Sequence, residues 1–429
     1  MTSQTATTLQ TYTNKPRVFI LSDISNEPDD AESFVRYLTY ANQFVTEGLV
    51  PVTSVWLRDR TCPDDMHTIL DVYAGSLNNL NAHTHPNFPY PRVEELRGLI
   101  RPGASVYGME AAASLRSKIR VYAISDQDDT SAWIRAEFPD IFYISSIHAW
   151  NQYGLATWVG ISGETHYSFD EGGPDSSKVS KQWVKDHIQI GPLGSVYPNP
   201  EFVFEGDTPS FLYLVQNGLG SREHPNFGSW GGRYSKTDPS DRVRHYGDTA
   251  DRVQGLDGRM YKSNQATIWR WRDAYQSDFA ARIQWSMTDN FDKANHHPVA
   301  SINGHDGLVP LTIDAEAGST LRLDASASFD PDGDNLSFRW LQYEEPSIEV
   351  WSAHKFTANL SIELLDREGK VVEVQIPPAE KCCVEFKTWK PLARGQILHL
   401  LLEVKDDGSP QLTTYKRVLI QTTNADVKL

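Results

Sequence analysis

Arg17-Val18-Phe19-Ile20-Leu21-Ser22-Asp23-Ile24-Ser25-Asn26-Glu27-Pro28-Asp29-Asp30 is the stretch whose reading decides the fold. Residues 18–21 form a short apolar run, the pattern of a strand buried on both faces. A helix follows, with Ala31, Phe34, Val35 and Leu38 on one face. Gly48 then precedes a strand expected over 49–57, and a helix is expected over 66–77. This is βαβ rhythm, which predicts a parallel sheet with helices on both faces.

The rhythm continues with strands expected at 119–125 and 141–145 and a helix over 130–136 between them. A strand is expected at 201–204, and Gly206-Asp207-Thr208-Pro209-Ser210 leads into an apolar helix over 211–215. Beyond Asn295-His296-His297-Pro298 the pattern changes. Residues 320–324, 336–343, 397–404 and 415–422 read as strands, with Asp330-Pro331-Asp332-Gly333-Asp334 as a turn. Short strands between turn signals indicate a β-sandwich. The expected organisation is a flexible segment 1–16, an α/β domain with a mostly parallel sheet and flanking helices over 17–298, and an immunoglobulin-like sandwich over 299–429.

The formal net charge of -16 and the lack of a basic patch argue against a nucleic-acid partner. No run approaches the ~20 apolar residues of a membrane span. Three cysteines, two of them adjacent, argue against a disulfide framework. Residues 1–14 are Thr-rich without an apolar core, so no signal peptide is read and an intracellular, cytoplasmic location is expected, with secretion as the alternative. A small molecule or carbohydrate is the expected ligand, and a homo-oligomer is left open.

In open parallel sheets, ligands bind beyond the carboxyl ends of the strands. Three expected strand ends here carry aspartates. Asp29 and Asp30 are adjacent carboxylates at a strand-to-helix junction, and the helix dipole relieves part of their repulsion. A hard divalent cation relieves more, and calcium takes six to eight oxygen ligands. Asp23, Glu27, Asp29, Asp30 and the distant Asp207 supply oxygens; the bland alternative is a solvated, helix-capping turn.

The strand, the Asp-rich loop and the Asp-Asp-Ala helix start resemble the N-terminal motif of nucleoside hydrolases. A closer resemblance is to the nucleoside-hydrolase-like family of cellulose-binding proteins. It is carried by residues 22–30, by Val121-Tyr122-Ala123-Ile124-Ser125-Asp126-Gln127-Asp128-Asp129 and by Glu205-Gly206-Asp207-Thr208-Pro209-Ser210-Phe211-Leu212. Gly228-Ser229-Trp230-Gly231-Gly232-Arg233-Tyr234, Thr267-Ile268-Trp269-Arg270-Trp271-Arg272 and Leu323-Asp324-Ala325-Ser326 with the 330–334 turn extend it over nearly the whole chain.

The resemblance implies a hydrolase of glycosidic or related bonds whose calcium is held by Asp23, Asp30 and Asp207. It implies Asp29 as the sugar-hydroxyl contact, and it aligns the general-base aspartate with Ser25. A hydroxyl is a poor base at neutral pH, so Glu27 or Asp23 is the expected substitute, and Asp23, Glu27 and Asp29 are the expected catalytic residues. It also implies a strand ending in Trp-Gly-Gly and a helix before Val121. Here the chain runs from Tyr107-Gly108-Met109 through Ala111-Ala112-Ala113 to Ile119 without that motif, which reads as a missing βα unit and a weakened metal site.

Asn26, Asp29, Asp126, Asp128, Trp150, Asn151, Trp230 and Arg233 are the expected ligand contacts. Five of them have a structural alternative: an acidic turn for Asp126 and Asp128, core packing for Trp150 and Trp230, an ion pair for Arg233. The 330–334 turn has calcium-loop spacing without the helix pair or distal Glu of an EF-hand. Two other readings stand beside the hydrolase: a carbohydrate-binding protein without catalysis, and an enzyme redirected to small-molecule, secondary metabolism.

Overall fold

A computed structural model describes residues 8–54, 56–103, 120–126, 130–147, 154–162, 173–201, 204–238, 242–347 and 356–428. The chain forms two compact units. One comprises Asn14–Val215 and Gly220–Ala294; the other comprises Met1–Thr13, Gln216–Leu219 and Asn295–Leu429.

The first unit is mixed α/β. Strand β1 (Arg17–Ser22) leads to helix α1 (Pro28–Tyr40) and returns to β2 (Val45–Pro51), which pairs parallel to β1. Helices α2 (Pro63–Ala82) and α3 (Val93–Leu99) follow. Residues 100–103 then run beside β2, with Arg101 N–H donating to Leu49 O at 3.0 Å and Gly103 N–H to Pro51 O at 2.9 Å. This parallel rung adds a third course to the sheet just before the point where a βα unit was read as missing. Residues 104–119, which bear on that reading, lie outside the described residues.

Strand β3 (Arg120–Asp126), helix α4 (Thr130–Glu137), β4 (Phe142–Ile147), β5 (Tyr234–Lys236) and β6 (His245–Asp248) build a second sheet in the order β3-β4-β6-β5. β3, β4 and β6 are parallel and β5 is antiparallel to β6. Strand β4 is buried on both faces. Phe142 and Ile144 pack with Tyr213, Tyr234 and Tyr246, while Tyr143 packs with Phe138 and Ile141. A hairpin of β7 (Asp251–Gln254) and β8 (Met260–Ser263) and a buried helix, Arg272–Trp285, complete the unit.

Three expectations are corrected. β1 is not buried on both faces: it alternates, with Phe19 61% and Leu21 63% exposed. Its one strand partner among the described residues is β2, and an apolar run alone does not say whether a layer covers it. Phe19 lies across the sheet on Gly48, its register partner, where an added Cβ would come within 2.2 Å of the ring. The strand expected at 201–204 is also not formed among the described residues. Glu201 makes an isolated bridge, Phe204 is in a bend, and 202–203 lie outside the description. The apolar helix after Asp207 is a single turn, Pro209–Leu212, because its apolar run is too short to carry a longer one.

The second unit is a sandwich of β9 (Leu311–Glu316), β10 (Thr320–Asp324), β11 (Leu336–Tyr343), β12 (Ser361–Leu364), β13 (Val371–Gln375), β14 (Arg394–Asp406) and β15 (Thr413–Thr423). Its sheets run β10-β13-β12 and β11-β14-β15-β9. Leu323, Val372, Val374, Leu398, Leu400, Leu402, Val418 and Ile420 form the core. The alternation of β10, with Leu321 and Leu323 inward, is the half-buried pattern expected of it. Residues 216–219 belong to this unit: Tyr415 N–H donates to Asn217 O at 2.9 Å and Arg417 Nε to Leu219 O at 2.9 Å. All three cysteines are free. Among the described residues no helix is long and apolar enough to cross a membrane.

Candidate functional site

The loop after β1 turns sharply. Asn26 N–H donates to Asp23 O at 3.1 Å, and Ser25 takes a positive φ of 81°. Glu27 is extended and Pro28 begins α1, so Asp29 and Asp30 enter the first helical turn, where backbone N–H groups are unpaired. Both are buried, at 9% and 6% exposure. Ser22 Oγ donates to Asp30 and also accepts from Ile24 N–H at 3.2 Å, which ties the strand end to the helix start.

Asp207 is brought to this point by one face of α1. Residues 29, 32, 33 and 36 follow helical spacing and share that face. Glu32 accepts from Glu205 N–H at 3.0 Å, Ser33 and Thr208 hydroxyls meet at 3.0 Å, and Arg36 Nε lies 2.8 Å from Glu205 Oε2. Tyr197 OH donates to Glu205 at 2.6 Å, and the Arg36 guanidinium stacks over Phe279 at 4.1 Å. Glu205 itself adopts φ 49°, a left-handed residue held by these contacts. Sequence reading did not single out Glu32, Arg36 or Glu205. The signal for Glu32 and Arg36 was the spacing of polar groups along α1.

The electrostatics are those of crowded acids. Burial, then Asp207 and Asp23, push the Asp30 carboxyl well above the usual range, and a hydrogen bond to Asp207 adds to the shift. Asp207 is pushed up to about 7 by burial and then by Asp29. Asp29 is raised by burial, Asp30, Glu27 and Asp23; Glu27 is raised by burial and Asp23. Asp29, Asp30 and Asp207 are raised chiefly by burial and by neighbouring acids, whereas Arg36 acts on Glu32 and Glu205. An all-oxygen anionic set suits a hard cation such as calcium. In this conformation no three of these acids bring ligand atoms within 4.8 Å of one another; among the described residues that spacing belongs to Asp330, Asp332 and Asp334.

The structure adds one carboxylate. Ser25 Oγ hydrogen-bonds Asp65, from the first turn of α2. The position that aligns with a base thus carries a hydroxyl bonded to a carboxylate 40 residues away in sequence.

The other expected contacts fall elsewhere. Asp126 ends β3, but its side chain, together with Asp128, Trp150 and Asn151, lies outside the described residues. Asn26 is half-buried in the acidic loop. Trp230 and Arg233, expected as ligand contacts, are buried at 1% and 4%. Trp230 packs edge-on to Tyr275 at 6.5 Å, and Arg233 pairs with Asp251 at 2.6 Å. Arg270 takes the other Asp251 oxygen at 2.7 Å. Among the described residues these side chains display a closed ion-pair cluster rather than a ligand face.

Comparison with known proteins bears on this geometry. Residues 17–114 and 110–234 match the family of cellulose-binding Sde182, nucleoside hydrolase-like domain, and 320–422 match the cellulose-binding protein Sde0182, C-terminal domain. The first match falls into two pieces that meet at 110–114, within the region read as lacking a βα unit. A solved structure, a nucleoside hydrolase-related hypothetical protein from Saccharophagus degradans associated with carbohydrate metabolism, is similar at 27% identity and TM-score 0.73 over 96% of this chain and 100% of that one. Human CDH23 EC21-23 aligns at 16% identity over 30% of this chain and 33% of its own, with a TM-score of 0.18, which carries no argument. No curated protein matches the chain.

Proposed function

The chain belongs to the family of cellulose-binding Sde182 proteins with a nucleoside-hydrolase-like domain, and from that membership we propose that its α/β unit hydrolyses an N- or O-glycosidic bond at the β1–α1 carboxylates. The observation that supports the reading is the convergence of buried carboxylates at the start of α1: Asp29 and Asp30 lie in its first turn, and the Asp207 loop is seated on the same helix through Glu32–Glu205 and Ser33–Thr208. Asp23, Asp30 and Asp207 would hold calcium. Bound there, the ion supplies a water of lowered pKa and charge for sugar hydroxyls.

The chain's own groups do the rest. Asp29 accepts from a sugar hydroxyl and favours the positive charge that develops on the sugar ring. Ser25 passes a proton from water to Asp65, along the hydrogen bond already present between them. Asp65 thereby fills the base role for which Glu27 and Asp23 are the alternatives. The test is release of reducing sugar from cello-oligosaccharides and of base from nucleosides. Asp30→Asn with Asp207→Asn should abolish turnover. Asp65→Asn should lower kcat by about 100-fold or more with KM little changed. Full turnover in the double variant removes the reading.

A second reading, carbohydrate binding without catalysis, is favoured by an aromatic group on the sandwich unit. Trp389 is 58% exposed at φ 57°, on a turn closed by its N–H to Glu385 O at 2.7 Å. Phe356, 41% exposed, packs against Trp389 at 6.1 Å and Phe386 at 5.2 Å. Exposed rings held by a strained turn are suited to stacking on sugars. Trp389→Ala should reduce the fraction retained on insoluble cellulose at least fivefold; no retention of the unaltered protein rules this reading out.

A further inference from the structure

The sandwich unit carries a second group of acids, unrelated to the β1–α1 site. Asp330 Oδ1 accepts from Asp332 N–H at 2.8 Å and from Asp334 N–H at 3.3 Å, and Gly333 at φ 86° lets the turn close. Asp332 accepts from His296, from its backbone N–H at 2.7 Å and its Nδ1 at 2.8 Å. The carboxylates of Asp330, Asp332 and Asp334 each place an oxygen within 4.8 Å of the others. Oxygens bound to one calcium ion at 2.3–2.6 Å stand at most ~5 Å apart, so this trio is already within the span of a single ion.

Three clustered acids on a turn would not by themselves make a site. The independent observation is Asp406, at the end of β14. The register pairs Leu336, just after the turn, with Asp406, which sets the aspartate beside the loop. Asp406 is 2% exposed. Its Oδ1 is saturated by Leu412 N–H at 2.9 Å, Gly408 N–H at 3.1 Å and Asn295 Nδ2 at 3.1 Å. Its Oδ2 is buried and has no hydrogen-bond partner, and the same holds for Asp330 Oδ2. The Asp406 charge is among the influences that raise the Asp330 carboxyl, in keeping with the register that sets Asp406 beside the turn. A buried carboxylate oxygen without a donor is costly, and native structures keep one where something else satisfies it.

We propose that Asp330, Asp332, Asp334 and Asp406 form a calcium site that joins the 330–335 turn to the end of β14 in the sandwich. Calcium suits the set better than its rivals. The donors are all oxygen, which disfavours zinc, and four carboxylates on a turn and a strand end leave magnesium too few of the waters it retains. Asn295 and the backbone N–H groups hold Asp406 through Oδ1, which leaves Oδ2 as the oxygen available to an ion. The site is separate from the proposed hydrolytic one, so either can fail alone.

The experiment uses the full chain, stripped with a chelator, dialysed and titrated with calcium by calorimetry, with bound calcium counted by elemental analysis. The Asp30→Asn/Asp207→Asn protein provides a background in which the α/β acids cannot contribute. In that background one calcium per chain is expected. Asp406→Asn, which keeps the Oδ1 acceptor, should lose it or bind at least 30-fold more weakly. Should Asp406→Asn not fold in chelator, the turn variant Asp334→Asn decides by the same reading. Absence of bound calcium in that background at millimolar calcium overturns the proposal. So does binding unchanged within twofold in the deciding variant.

Discussion

Arg36 is the positive charge against which the Asp207 loop is held. It is wholly buried, 2.8 Å from Glu205, with Glu32 on the same helix face. Removing one partner of a buried ion pair leaves the other charge uncompensated, at roughly 3–5 kcal/mol. Arg36→Met should therefore lower the urea unfolding free energy by about that amount. A change below ~1 kcal/mol would mean that Glu205 is neutral and that the loop is held by its other contacts. Residues of this kind were hidden in the sequence. Polar groups inside a helix read as a solvated face until a loop is seen packed on them. Asp23, Asp29 and Asp30 stood out as candidates because turn chemistry and the end of β1 mark them locally, whereas Asp207 stood out through the 206–210 motif ahead of its short helix. Asp65 was not, because its approach to Ser25 depends on where α2 packs, and no local pattern encodes that.

At the level of elements, the junction of β1 and α1 concentrates acids whose folded pKa lies above the unfolded one. Asp29, Asp30, Glu32 and Asp207 all move upward, the last to about 7. The folded state then holds protons that the unfolded state releases. The stability this gives is fully present below the unfolded carboxyl value of ~4 and is lost as pH rises through the folded values. In chelator, the melting temperature should fall by several degrees between about pH 5 and pH 8. Calcium at pH 8 should restore it by mass action, as the ion takes the place of the protons. A flat or rising profile in chelator would show that these carboxyls are not confined together. The βαβ order of these elements was legible, since period and apolar runs are local. The exposed face of β1 was not, because Phe19 and Leu21 look the same in sequence whether or not a layer covers them.

For the whole molecule, the sequence reading placed a change of architecture near Pro298, and Asn295–Leu429 belongs to the second compact unit. It did not show that Gln216–Leu219 also belongs to the sandwich, since four residues carry no periodicity. Gly218 sits there at φ 85°, and an added Cβ would lie 1.8 Å from Tyr415 O. Gly218→Ala therefore meets both a left-handed backbone and backbone overlap, and should cost roughly 2–3 kcal/mol or more. Urea unfolding followed by near-UV circular dichroism measures this; a cost under ~0.5 kcal/mol would mean that the segment is not seated on β15.

That small segment bears on how such a protein is inherited. A recombination event that copied residues 295–429 alone would leave behind the strip that meets Tyr415 and Arg417. One that copied 14–294 alone would carry that strip into a host with nothing to receive it. The pair is therefore expected to pass between genomes as one cassette, and to resist the domain shuffling that sandwich modules joined by simple linkers undergo.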